Sequence, residues 1–180
     1  DNFTVPGLRL SLSGYIGNSF NNDMNTVAPT SKYHDIKGLT YIGSFDFDYR
    51  RSGLIARGYF DYGHINEAPR ISTYNMNLSH RNDSPYPHSI FASEAYAGGI
   101  EAGYDVFNFL RLFNNYGFAK GRKLYLFARY DAYDTYVPKE DVSDKPWSDR
   151  QVLTAGLNYV PIPQITIKAE GGVRILDDLY

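Results

Sequence analysis

Apolar and polar side chains alternate with period two through most of the chain, and that rhythm predicts β-strands rather than helices. Seven segments carry it: roughly 7–18, 38–50, 54–65, 95–107, 123–135, 151–160 and 164–175. In the first, Leu8, Leu10, Leu12, Gly14 and Ile16 oppose Arg9, Ser11, Ser13 and Tyr15. In the second, Tyr41, Gly43, Phe45, Phe47 and Tyr49 oppose Ser44, Asp46, Asp48 and Arg50. The third sets Leu54, Ala56, Gly58, Phe60 and Tyr62 against Arg57, Tyr59 and Asp61. The remaining four behave alike, and LYLFARYDAYDT (124–135) is the cleanest of them, with Arg129 and Asp131 on one side and Leu124, Leu126 and Ala128 on the other. Successive strand residues point to opposite faces, so each segment is a ribbon with one apolar and one polar face.

The connections differ in length. Residues 19–37, 66–94 and 136–150 are long and polar, whereas 51–53 and 160–164 are tight turns. Long connections at one end and short ones at the other are the layout of an outer-membrane barrel, with strands of about 9–11 residues tilted across the bilayer. The expected fold is therefore all-β, an antiparallel transmembrane up-and-down β-barrel formed by a single partial domain over 1–180. Residues 108–122 depart from the layout, being on the short-turn side yet as long as a loop, and are expected to hold a helical turn or a hidden strand. Seven is an odd count and bacterial single-chain barrels are even-stranded, so the chain is expected to be part of a larger barrel and of a longer protein.

Composition sharpens this picture. The 17 Tyr and 11 Phe favour pleated, half-buried surfaces. With no Cys, disulfide frameworks and thiolate metal sites are excluded. A formal charge of -2 leaves no nucleic-acid footprint. Mean hydropathy of -0.42 is compatible with a soluble protein, but equally with a transmembrane barrel, in which only alternate residues meet lipid.

No catalytic motif is present, so no enzyme, cofactor or metal is expected. Gly98, Gly99 and Gly103 imitate a dinucleotide fingerprint but lie in an alternating strand with no helix after them. His34, His80 and His88, with Asp35 and Asp83, lie in long loops, and their spacing does not force a metal site. Asp46 and Asp48 share a strand face as an acid–base pair would, but no nucleophile accompanies them; His64 near a strand end is a weak hydrolase candidate. The polar register supplies instead a set of expected pore-lining residues: Arg9, Arg50, Arg57, Arg129, Lys168 and Arg174 against Asp46, Asp48, Asp61, Glu101, Asp105, Asp131 and Glu170. In the apolar register Tyr41, Tyr49, Tyr62, Tyr104, Tyr130 and Tyr159 lie towards strand ends, where a lipid-facing aromatic girdle places tyrosine at headgroup level.

Five stretches, VPGLRLSLSGYIG, LIARGYFDYGHI, GGIEAGYDVF, LYLFARYDAYDT and RQVLTAGLNYVPIPQITIKAEGG, resemble in order the C-terminal half of Bacteroidetes-type outer-membrane porins of the phosphate-selective (O/P type) family. That resemblance implies a barrel of about sixteen strands, a homotrimer in the outer membrane of a Gram-negative bacterium, and a water-filled lumen passing small hydrophilic solutes or anions, phosphate among them. Six cations against seven carboxylates on the polar register lead instead to a general or weakly selective diffusion pore. The rival reading is a soluble lipocalin-like barrel binding a small hydrophobic ligand, with the two faces reversed.

Overall fold

The computed structural model describes residues 5–18, 30–81, 90–113, 121–137 and 148–176. Its strands are β1 (Leu8–Asn18), β2 (Leu39–Arg51), β3 (Leu54–Ile65), β4 (Glu94–Asp105), β5 (Lys123–Val137), β6 (Asp149–Ile162) and β7 (Ile165–Leu176). They form one sheet in chain order, β1 to β7, and every neighbouring pair is antiparallel. The fold is all-β and up-and-down. Among the described residues β1 and β7 have no strand on their outer edges, so the sheet is open.

Among the described residues two helices stand where the alternation lapses. α1 (Ala68–Arg81) occupies part of what the sequence presents as a bare 66–94 loop; residues 82–89 of that loop lie outside the described residues. α2 (Val106–Phe113) takes the first half of the anomalous 108–122 connection and shortens the fourth predicted strand, which ends at Asp105 rather than at residue 107. The cause is Asp105, whose carboxylate accepts hydrogen bonds from the N–H groups of Phe107 and Leu124, each at 3.1 Å. That is an N-cap, and it converts the strand end into a helix start. Among the described residues no helix is long and apolar enough to cross a membrane.

The short turns follow from local chemistry. Ser52 and Gly53 both have positive φ, 51° and 85°, the two-residue turn whose twist matches antiparallel strands. At the β6–β7 hairpin the register shifts between Tyr159 and Ile162, around Pro161, which has no N–H to give a ladder. At the other end of the sheet Ile36 and Ile71 are buried against Tyr33, Ile65 and Tyr74. Arg70 clasps this small core by pairing with Asp35 at 2.7 Å and Glu67 at 2.5 Å. The Arg70 guanidinium holds the Asp35 carboxyl below the usual carboxylate range.

Candidate functional site

Register decides what the strands can do together, because directly opposed residues share a face. The predicted apolar sets fall on one face and the polar sets on the other, and the register shifts only near strand ends, between Glu94 and Tyr96 and between Tyr159 and Ile162. Across the polar face one row runs Arg9, Asp48, Arg57, Glu101, Arg129, Thr154, each residue opposite the next. Charge sign alternates over five strands, so Asp48, Arg57 and Glu101 each stand between opposite charges. The next row runs Ser11, Asp46, Tyr59, Gly99, Asp131, Val152, Arg174.

These rows line a trough of 980 Å3 that includes Arg9, Asp46, Arg57, Tyr59, Asp131 and Lys168, so the polar face is the concave one. Of the expected pore-lining set, the trough gathers Arg9, Asp46, Asp48, Arg57, Glu101, Arg129, Asp131 and Lys168. Arg50, Asp61, Glu170 and Arg174 have the same parity but border it. Asp105 is a correction: it is buried, and its carboxylate is spent on the two backbone N–H groups of α2 and β5, so it lines nothing.

The charged groups are layered in depth. Arg57 meets Glu101 across strands at 2.6 Å, with the guanidinium side chain 53% exposed and the carboxylate 14%. Arg50 pairs with Asp48 at 2.8 Å, 62% exposed against 19%. Arg129 leans along its own strand to Asp131, Nε to Oδ2 at 2.9 Å, and is again the more exposed partner. That Nε atom is buried with no well-angled hydrogen bond, so close approach rather than a formed bond holds Arg129 there. Lys168 pairs with Glu170 at 2.6 Å and sits 5.3 Å from the centre of the Phe127 ring. In the three arginine pairs the cation is the more exposed partner, whereas Lys168 and Glu170 are exposed almost alike and Asp46 is exposed.

Two glycines make the layering possible. A Cβ at Gly99 would fall 2.5 Å from Asp131 and 2.7 Å from Tyr59, whose hydroxyl donates to Asp131 at 3.1 Å directly over that gap. A Cβ at Gly156 would meet the Phe127 ring at 2.9 Å, and Phe127 lies flat enough to be only 7% exposed. Tyr59, Phe127 and Thr154 belong to this wall but are absent from a set chosen by charge. The glycines opposite Tyr59 and Phe127 were the available signal.

The other face is convex to the trough and apolar. Leu12 is 85% exposed, and Ile16, Ile100, Leu126, Leu153, Ile167 and Val173 are also exposed. Across it Ala56, Ala102, Ala128, Ala155 and Gly171 form one row of small residues. Tyr41, Tyr49, Tyr62, Tyr104 and Tyr159 do lie near strand ends. Tyr130 is a correction, for it sits at the centre of the fifteen-residue β5, where its hydroxyl donates to Gln151 at 2.9 Å. Tyr96, near the start of β4 and opposite Tyr62, is the end tyrosine that the expected set lacks.

The rival chemistries find little. His64 has Glu94 and Asn66 at its ring nitrogens, at 3.3 and 2.9 Å, and stacks on Tyr41. Among the described residues no three His, Asp or Glu side chains gather as a metal group; Asp83 and His88 lie outside those residues, and nothing is described of the His80 side chain. Asp35 is engaged by Arg70. Compared with known proteins, the chain matches no family model, no curated protein and no solved structure.

Proposed function

We propose that this chain forms part of the wall of an outer-membrane porin, with its apolar face in lipid and its charged face on a water-filled lumen that passes small hydrophilic solutes. The observation that carries this reading is the inverted distribution of side chains: large aliphatics stand exposed on one face, while a concave charged trough lies on the other. Fully burying one Leu, Ile, Val or Phe is worth about 1.5–3 kcal/mol. Leaving six or more of them in water forfeits an amount comparable with the whole stability of a domain, about 5–15 kcal/mol. Lipid removes that loss. Both sheet edges need strand partners in a bilayer, since an open edge has no water to satisfy it there.

The lipocalin-like alternative requires an apolar interior and a polar exterior. Here the concave side carries eight of the charged pore-lining candidates, which disfavours a hydrophobic ligand. The localisation that follows is the outer membrane of a Gram-negative cell, and the assembly we propose is the homotrimer of the porin resemblance.

Solute preference follows from depth rather than from the neutral charge count. Guanidinium groups stand over recessed carboxylates, and a solute meets the upper layer first, so the wall favours anions modestly. Reversal potential in a salt gradient across a planar bilayer tests this. A small potential of the sign for anion preference is expected. Cation preference, or a chain that stays monodisperse in buffer without detergent and forms no conductance, overturns the reading.

A further inference from the structure

The helix α2 does not fit a lumen wall. Its sequence, VFNFLRLF, has two polar residues in eight, and it lies at the short-turn end of the sheet. Asn108 fixes it there, donating to the carbonyl of Ser52 in the β2–β3 turn at 2.9 Å and approaching the Tyr104 hydroxyl at 3.4 Å. Phe107 is buried, edge-on to Tyr159 with ring centres 6.3 Å apart. Tyr104 and Tyr159 both belong to the apolar outer face, so α2 leans onto that face and not into the trough. Its next two residues are exposed, Phe109 at 48% with Leu110 beside it.

Charge adds an independent observation. From residue 106 to residue 123 the sequence contains Arg111, Lys120, Arg122 and Lys123 and not one carboxylate. Eighteen residues combining large apolar side chains with four cations have the composition of segments that lie in a membrane interface. Apolar groups there reach the acyl boundary and lysine or arginine meets anionic headgroups.

We propose that α2 is an interfacial anchor, seated in the headgroup region of the leaflet at the short-turn end and holding the sheet at a fixed depth through Phe109 and Leu110. The inference rests on the porin-wall reading, since it needs lipid beside the outer face. The two neighbouring tyrosines, themselves suited to the headgroup level, make α2 a continuation of that face. Anionic lipid strengthens the contact through the cations of this stretch, with Arg122 and Lys123 among the described residues.

The test exploits the absence of native cysteine. Full-length Phe109→Cys and Leu126→Cys variants carry a bimane fluorophore and are folded into vesicles containing lipid brominated at defined acyl depths. Leu126 is an exposed residue of the outer face and serves as the control for lipid contact. The expected result is quenching at both sites, with the Phe109 site quenched several-fold more by shallow than by deep bromine. Vesicles of phosphatidylcholine alone should quench that site less than vesicles containing phosphatidylglycerol. Quenching at Leu126 with none at Phe109 overturns the anchor and leaves the wall reading standing. No quenching at either site overturns both. Leu110→Cys repeats the measurement if Phe109→Cys does not fold, and a Phe109 depth indifferent to anionic lipid overturns the role of the cations.

Discussion

The two faces of this sheet are built from the same seven strands, yet they solve packing in opposite ways. On the concave face small residues sit beneath large ones: Gly99 under Tyr59 and Asp131, Gly156 under Phe127. Side chains there lie down, pair and fill space, and Phe127 and Thr154 become buried on a surface that carries most of the charge. On the convex face the aliphatics stand exposed, Leu12 and Val173 among the most, although Phe45 and Leu153 lie directly opposite them. Apart from Gly58 beneath Phe47, the protein therefore packs its wet side itself and leaves the dry side to its surroundings. Concealment of a side chain here does not follow hydrophobicity, which is the reverse of a soluble core.

This contrast can be broken deliberately. The largest effect is expected from a charge on the convex face: Ala128→Arg should lower folding stability in a bilayer by about 2–4 kcal/mol. Ser11→Arg, on the exposed wet side opposite Asp46, should stay within about 0.5 kcal/mol. Urea titration in vesicles compares them, and equal losses would remove the distinction between the faces. Next in size is a paired glycine experiment. Gly99→Val should cost about 1–3 kcal/mol by overpacking, because Tyr59 and Asp131 occupy the space a side chain needs. Gly171→Val, on the convex face with no atom within 4 Å of its would-be Cβ, should cost little or stabilise through added lipid contact. A smaller effect is expected from Asp105→Ala, which removes the α2 cap at about 1 kcal/mol. It should leave reversal potential unchanged, since Asp105 does not reach the trough.

The strands and their faces were legible because period two is a strong signal and each strand repeats it for ten residues or more. Register followed from the same pattern, as a slip of one residue would turn every apolar side chain to the wrong face. The helices were not legible. VFNFLRLF is apolar at nearly every position, so it alternates with neither period. Pro69 marks a loop in sequence, yet it occupies the first turn of α1, where its missing N–H is not needed. Asp105 carries the right parity for the wall, and only the approach of Leu124 across the connection discloses its role as a cap. Tyr130 was misplaced against its own strand, since it lies near the middle of the predicted 123–135 as it does of β5. Eight of the thirteen charged residues expected on the wall gather in the trough, and Asp105 does not. A count of six against seven is near neutral, whereas side-chain depth, which sequence does not encode directly, sets the arginines above their acids in three ion pairs.

The central claim is that residues 124–133 alternate between lipid and water. With no native cysteine to remove, single cysteines at each of these ten positions can carry a nitroxide in vesicle-embedded protein, with collision rates measured for oxygen and for a water-soluble nickel chelate. The account predicts oxygen-dominated collisions at Leu124, Leu126, Ala128, Tyr130 and Ala132. It predicts nickel contact at Tyr125, Arg129, Asp131 and Tyr133, with Phe127 low in both. A flat profile, or nickel contact at the even-numbered positions, would contradict it.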